Sequence, residues 1–231
     1  QVMGIINLTP DSFYASSRCL ADEKKLTERV LQIVAEGGTM IDVGACSTRP
    51  GGEQVSQDEE MKRLRTGLNY IVKALPQGVA LSVDTYRADV AKMCVEEFGV
   101  HIINDISGGD ADKRMFQVVA GLHTPYIIMY HHGQFPFDDN FRKTGDLMGD
   151  LFMFFSSKIN LLHEFGVCDV IIDPGFGFTK TREQDFAMLR NLQHFAELDC
   201  PVLVGMSRKR MVYETLGCSP EESLQGTTAV N

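Results

Sequence analysis

Short apolar runs recur along this chain, and six of them end at a carboxylate, amide or hydroxyl residue. Those polar residues are Asn7, Asp42, Asp84, Asn104, Asp173 and Ser207. The runs lack period-two alternation, which is typical of strands buried on both faces of a parallel sheet that helices cover. The pattern predicts seven strands, near residues 2–6, 39–43, 79–83, 101–104, 126–130, 169–173 and 202–206.

Segments with helical periodicity separate these strands. Their apolar stripes are Leu26, Val30, Ile33 and Val34; Met61, Leu64, Leu68, Ile71 and Leu75; Leu147, Leu151, Phe154, Phe155 and Ile159; and Phe186, Leu189, Leu192 and Phe195. Each stripe lies on one helix face, so the chain is predicted to repeat a strand–helix unit.

Two α/β architectures have this alternation, a closed barrel and an open doubly wound sheet. The open sheet carries a Gly-rich phosphate loop after its first strand, whereas here that loop reads NLTPDSFYASSR. We therefore predict a TIM-type (β/α)8 barrel, in which polar residues at strand ends converge on one mouth. Closure takes eight strands and we count seven, so we expect residues 1–231 to be a single barrel domain that lacks its final βα unit.

Composition narrows the class of protein. The 231 residues are 44% hydrophobic, which is enough to bury one large core. We find no apolar stretch near the roughly 18 residues that span a bilayer, so we predict a cytoplasmic protein that has no membrane partner. The net charge of -9 argues against nucleic-acid binding. The run at 207–210, SRKR, remains a candidate cationic pocket for a small anion.

The chain has six cysteines, without a CxxC pair or a zinc-like spacing to histidine. They are Cys19, Cys46, Cys94, Cys168, Cys200 and Cys218. We interpret them as free thiols of a reducing compartment. For the adjacent His131 and His132 we favour surface or ring-edge packing over metal ligation.

The motif DPGFGF at 173–178 places a carboxylate at a strand end beside two aromatic rings. A buried carboxylate can accept two N–H donors in one plane, such as those of a 2-amino-4-oxo heterocycle, and Phe176 or Phe178 could lie against that ring. Satisfaction of Asp173 by backbone amides of its own loop is the alternative.

Asp84 and Asn104 repeat the pattern at neighbouring strand ends. Asn104 can donate and accept, so together with Asp173 it could read a ring edge whose donors and acceptors alternate. For Asp105 we favour a structural role in bracing the loop before Gly108.

In GMSRKR at 205–210, a helix that starts near Ser207 would combine an N-cap hydroxyl with free N–H groups and cations. An ordinary N-cap with a solvated basic face fits equally well. The polar loops at 47–52, STRPGG, and at 7–18 have the composition of mobile loops that close over a site.

Six ordered motifs resemble dihydropteroate synthase of the folate pathway. They are NLTPDSF at 7–13, DVGACSTRPG at 42–51, SVDT at 82–85, NDISGG at 104–109, DPGFGF at 173–178 and GMSRK at 205–209. The resemblance implies condensation of 6-hydroxymethyl-7,8-dihydropterin diphosphate with 4-aminobenzoate and release of diphosphate, with Mg²⁺ as the cofactor. It also implies that sulfonamides imitate 4-aminobenzoate and that the chain, when complete, forms a homodimer.

The resemblance assigns roles to individual residues. Pterin contacts fall on Asp84, Asn104, Ile106, Met129, Asp173, Gly205 and Lys209; the 4-aminobenzoate site falls on Pro50, Phe178 and Ser207; the metal falls on Asn7; and catalytic roles fall on Asn7, Thr48, Arg49 and Lys209. A pterin-binding module without turnover and a folate-dependent methyltransferase are the alternatives.

Overall fold

The computed structural model describes residues 1–9, 22–46, 55–133, 135 and 145–231. Its strands are β1 (Met3–Asn7), β2 (Met40–Gly44), β3 (Ala80–Asp84), β4 (Ile102–Asp105), β5 (Tyr126–Met129) and β6 (Val170–Asp173). Its helices are α1 (Glu23–Ala35), α2 (Gln57–Ala74), α3 (Ala88–Phe98), α4 (Met115–Leu122), α5 (Leu147–Glu164), α6 (Arg182–Arg190), α7 (Arg210–Leu216) and α8 (Leu224–Val230).

The six strands form one parallel sheet in the order of the sequence, from β1 to β6. A doubly wound sheet would reverse its order at a switch point, so this order is that of a barrel wall. The predicted strand–helix repeat is confirmed. In the described part of the chain β1 pairs with β2 alone, so the sheet is not closed.

Two predicted elements differ from the structure. The segment 202–206 joins the sheet through one bridge, between Val202 and Ile172, and is not a full strand. It gains hydrogen bonds from β6 on one side, and no described strand pairs with its other edge. The predicted helix over 186–195 breaks at Asn191 into α6 and a 3-10 helix (Leu192–Leu198). At the break the Asn191 side chain donates to the Ala187 carbonyl at 2.8 Å and so competes for the acceptors of the last helical turn.

The core lies between the sheet and the helices that surround it. Leu26, Val30 and Ile33 of α1 are buried, as the stripe predicts. On β1, Ile6 is 0% exposed under the helices, whereas its neighbour Ile5, which points to the opposite face, is 53% exposed. Ile5 therefore faces the interior of an unclosed barrel.

Cysteine pairing and membrane-spanning potential can be judged in the described segments. The five cysteines in the described segments form no disulfide bond, in agreement with the prediction of thiols, and Cys19 lies outside those segments. Among the described helices, none combines the length and the apolar character that crossing a bilayer requires.

Asp105 braces the loop after β4, as the sequence predicts. Its carboxylate accepts from the backbone N–H and hydroxyl of Ser107, each at 2.7 Å, and from the backbone N–H of Gly109 at 3.0 Å. The hydroxyl of the fully buried Tyr126 donates to the same carboxylate. The brace sets the path of the chain directly after Asn104.

We predict that Tyr126→Phe lowers the free energy of unfolding by about 1–3 kcal/mol, because a buried carboxylate loses a donor. Urea denaturation measures this change. Tyr70→Phe, on the outer helix α2, is the matched control and should change stability by less than about 0.5 kcal/mol. Equal effects of the two substitutions would contradict the brace.

Candidate active site at the strand ends

Strand register places four site positions in one row at the C-terminal end of the sheet. Asn7 pairs with Gly44, Gly44 with Asp84, and Asp84 with Asn104. A side-chain atom built on Gly44 would lie 3.5 Å from Asn7 Oδ1 and 3.6 Å from Asp84 Oδ2. The missing side chain of Gly44 thus leaves room between an amide oxygen and a carboxylate oxygen.

Asp42 lies two residues earlier on β2 and points to the same face as this row. The Asn104 Nδ2 group donates to Asp42 Oδ2 at 3.0 Å, across β3. The other Asp42 oxygen, Oδ1, is buried without a hydrogen-bond partner in the described structure. Asp42 was predicted at a strand end, and no functional role was predicted for it.

The two carboxylates on this face are strongly desolvated. Burial raises the pKa of Asp42, and Ser82 and Asn104 oppose that rise. Burial also raises the pKa of Asp84 well above its ordinary value, and the negative charges of Asp42 and Glu60 add to the effect. In the described structure no donor is bonded to the Asp84 carboxylate, so the site favours a ligand that brings N–H groups.

A second group of site residues lies beyond β6. Asp173 ends β6 and accepts from the backbone N–H of Gly175 at 2.8 Å. The predicted alternative, satisfaction by its own loop, therefore holds for one of its oxygens. Burial raises the pKa of Asp173, and the Lys209 ammonium opposes that rise.

Lys209 links the two loops of this group. Its Nζ donates to the carbonyl of Phe176 and lies 4.8 Å from the centre of the Phe178 ring. Phe176 is fully buried in the core, whereas Phe178 is half-buried. Of the two rings considered, Phe178 is thus the one that can contact a ligand.

Met129 and Gly205 connect these groups. Met129 pairs with Asp173 across β5 and β6, and its Cγ lies 3.2 Å from a side-chain atom built on Gly175. An atom built on Gly205 would lie 3.5 Å from Lys209 Nζ, so Gly205 lies directly beside the ammonium. Ile106 is buried directly after β4.

The predicted N-cap at Ser207 is wrong. Helix α7 begins at Arg210 with Lys209 as its N-cap residue, and Ser207 is exposed in the preceding turn. The cause is local, because Arg208 has a φ of 51°, in the left-handed region, which delays the start of the helix.

Thr48, Arg49 and Pro50 lie outside the described residues, but arginines bind both ends of their loop. Arg63 donates to the Ala45 carbonyl at 3.4 Å, and Arg87 donates to the Val55 carbonyl at 2.7 Å. Arg87 also pairs with the fully buried Glu60. This pair would have been hard to predict from the sequence, since its members lie on separate helical segments.

Glu60 connects that pair to the site. It accepts at 2.8 Å from the Thr85 hydroxyl, directly after Asp84. Desolvation raises the pKa of Glu60, and Thr85 and Arg87 oppose the rise.

Lys180 is a buried cation that sequence reasoning did not assign. Its side chain is fully buried, and its Nζ donates to the carbonyls of Gly175 at 2.9 Å and Phe178 at 3.0 Å. The ammonium thereby holds both ends of the turn that carries the Phe178 ring. Burial lowers its pKa to about 7, although Asp185 and Asp173 oppose the change.

The two histidines after β5 pack against aromatic rings, as predicted. His132 contacts Tyr130 edge-on, and the His131 ring lies 6.1 Å from the ring of Phe154. His131 is buried and its Nε2 lies 3.0 Å from the Ser107 carbonyl, so of the two predicted positions, surface or ring-edge packing, it has the second. Within the described segments no cluster of three or more His, Cys, Asp or Glu residues could hold a metal.

Comparison with known proteins decides what this site belongs to. The profile of the family described as "Pterin binding enzyme" matches residues 3–231. The chain belongs to the pterin-binding enzyme family. A relative from Bacillus subtilis (strain 168), "Dihydropteroate synthase", is 39% identical over 230 residues, which cover 99% of this chain and 77% of the relative.

Solved structures of dihydropteroate synthases show that this pterin-binding family member is similar to them in fold as well as in sequence. The dihydropteroate synthase of Yersinia pestis, solved with a sulfonamide drug, has a TM-score of 0.90 at 35% identity. The match covers 100% of this chain and 82% of the Yersinia chain. The dihydropteroate synthase of Anaplasma phagocytophilum, solved with bound 6-hydroxymethylpterin-monophosphate, has a TM-score of 0.85 at 28% identity, with 99% and 86% coverage. The predicted TIM-type barrel is therefore confirmed, with its sheet unclosed.

We predict that Lys180 makes stability depend on pH. Its folded-state pKa is about 7 and its ordinary value is 10.5. Between these values the unfolded chain binds more protons, so this group's contribution to stability rises with pH, by at most about 1.4 kcal/mol per pH unit. Lys180→Met removes the titration.

The measurement is urea denaturation between pH 7 and 9.5. The free energy of unfolding of the unsubstituted protein, minus that of Lys180→Met, should increase with pH. Lys113→Met, on the surface, is the matched control and should leave the slope unchanged. A constant difference between the protein and Lys180→Met would show that the buried ammonium does not titrate in this range.

Proposed function

We propose that this protein is a dihydropteroate synthase, a transferase that condenses 6-hydroxymethyl-7,8-dihydropterin diphosphate with 4-aminobenzoate. The products are 7,8-dihydropteroate and diphosphate. One observation carries the proposal: in a member of the pterin-binding family, desolvated Asp84, Asn104 and Asp173 lie at one end of the sheet together with Lys209.

The pterin ring has edges that these groups match. Its N3–H and 2-amino groups form a pair of donors, which suits the Asp173 carboxylate. Its 4-oxo group and N5 are acceptors, which suit the Lys209 ammonium. Met129 and Ile106 supply apolar contact for the ring faces. The Anaplasma relative was solved with a pterin whose ring is oxidised, so binding a pterin does not by itself require the reduced ring.

The 4-aminobenzoate subsite is proposed beside Phe178, Ser207 and Pro50. Phe178 is half-buried, and Ser207 is exposed in the turn before α7. A hydroxyl at this position suits the substrate carboxylate. The Yersinia relative binds a sulfonamide drug, and we propose that sulfonamides compete for the same subsite here.

The chemistry needs positioning and charge stabilisation more than a protein nucleophile. The bond between the pterin CH₂ carbon and the diphosphate oxygen breaks, and its electron pair leaves with diphosphate. The arylamine is neutral at pH 7; its nitrogen attacks the CH₂ carbon and then loses a proton to solvent. Carboxylates near the electron-rich ring stabilise the positive charge that develops on it, and Thr48, Arg49 and Lys209 are proposed to orient the reactants.

Mg²⁺ is the proposed cofactor, and the oxygen donors beside Gly44 fit it. Asn7 Oδ1 is an oxygen of the hard type that Mg²⁺ prefers, and the Asp84 carboxylate lies near it. Asn7 would hold the ion together with diphosphate oxygens. Bound there, Mg²⁺ would supply charge stabilisation to the leaving diphosphate.

Three further properties belong to the same proposal. Residues 1–231 are proposed to form a single pterin-binding domain, the protein is proposed to be a homodimer, and its location is proposed to be cytoplasmic. The acidic net charge of -9 supports small-molecule partners over nucleic acid.

The decisive test is release of diphosphate, with dihydropteroate followed by chromatography. We predict that product forms only when both substrates are present. Lys209→Met should lower kcat/KM at least about 100-fold because the ring loses a charged donor, while the surface variant Lys113→Met should keep its activity. Pterin binding without turnover would favour a binding module, and diphosphate release without 4-aminobenzoate would contradict the proposal.

We also predict that a chelator abolishes turnover and that Mg²⁺ restores it. Asn7→Ala should raise the Mg²⁺ concentration needed for half-maximal activity about tenfold or more, because the ion loses a protein oxygen. Activity against a series of Mg²⁺ concentrations measures this, with Asn69→Ala on the outer surface of α2 as control. Full activity in excess chelator would remove the metal from the proposal.

A further inference from the structure

Asp42 restricts how the Asn104 side chain can be oriented. A carboxylate can only accept, so the group that faces Asp42 Oδ2 at 3.0 Å must be the amide nitrogen of Asn104. Burial raises the pKa of Asp42. While Asp42 is ionised, both of its oxygens accept, and neither can donate to the carbonyl oxygen of Asn104.

The restriction leaves Asn104 with a defined pair of groups for a ligand. Its amide has two N–H donors and one carbonyl oxygen, and one N–H is used by Asp42. In the described structure no donor is bonded to Asn104 Oδ1. The half-buried side chain therefore offers one acceptor next to one donor.

A reduced pterin ring has a complementary edge. In the 7,8-dihydro ring N8 carries a hydrogen and N1, next to it across one ring-fusion carbon, carries a lone pair. Asp173 is proposed to bind the N3–H and 2-amino groups, and Lys209 the 4-oxo group and N5. The N1 and N8 edge is then left for Asn104. In the oxidised ring N8 has a lone pair instead, which would face the Asn104 oxygen without a hydrogen.

We propose that Asp42 is a positioning residue that sets the preference of this site for the 7,8-dihydro ring over the oxidised ring, by fixing which way the Asn104 amide faces. The inference rests on the proposed function and deepens it. Asp84, the neighbouring carboxylate in the row, also favours an N–H over a lone pair. Loss of Asp42 should therefore weaken the preference without abolishing it.

Asp42→Asn tests this with almost no change in volume. An asparagine at this position can accept from the Asn104 nitrogen or donate to its oxygen, so the amide is free to face either way. Calorimetry would compare 6-hydroxymethyl-7,8-dihydropterin, kept reduced under nitrogen, with 6-hydroxymethylpterin. The ratio of the two Kd values should fall about three- to tenfold in Asp42→Asn, the worth of about one hydrogen bond.

Asp58→Asn is the matched control, because it removes one carboxylate from the exposed first turn of α2. It should leave the ratio as in the unsubstituted protein. If Asp42→Asn does not unfold cooperatively, Asp42→Ser replaces it, since a hydroxyl both donates and accepts.

The outcomes separate the inference from the proposed function. A ratio that falls in the Asp42 variant alone supports the inference. Equal loss of affinity for both rings, with the ratio unchanged within twofold, assigns Asp42 a purely structural role and overturns the inference while the proposed function stands. Failure of the unsubstituted protein to bind either ring overturns both.

Discussion

Parallel strand register is the constraint on which the site depends. Because register partners in a parallel sheet point to the same face, the pairing that places Asn7, Gly44, Asp84 and Asn104 in one row also directs them into one space. A shift by one residue would turn each polar group toward the helices. The apolar residues that alternate with them, such as Ile6, hold the register by packing under those helices.

Burying carboxylates on that face costs desolvation free energy. Hydrogen bonds within the fold offset this cost for some of the carboxylates and not for others. Asp105 is satisfied by four hydrogen bonds and supports the loop. Oδ1 of Asp42 is buried without a hydrogen-bond partner in the described structure. Desolvation and the negative charges of Asp42, Glu60 and Asp105 disfavour the ionised form of Asp84, and no donor in the described structure offsets them. Buried polar groups that the fold itself does not satisfy are typical of ligand sites, so the difference between Asp105 and Asp84 separates support from binding.

Much of this could be predicted from the sequence because its signals are local. Apolar runs without alternation predicted the parallel strands, and the polar residue after each run predicted a shared mouth. The start of α7 was mispredicted because the positive φ of Arg208 has no clear mark in the sequence. Lys180 and the contact from Asn104 to Asp42 depend on residues that meet only in the folded chain, so a pattern read along one strand could not identify them.

The central claim is that Asp84, Asn104, Asp173 and Lys209 bind one flat bicyclic ring. A crystal structure with 6-hydroxymethyl-7,8-dihydropterin bound tests it most directly. The account predicts that the ring lies within hydrogen-bond distance of all four side chains, with its N3–H edge on Asp173. A ring bound elsewhere, or one that leaves Asp84 and Asn104 without contact, would contradict it.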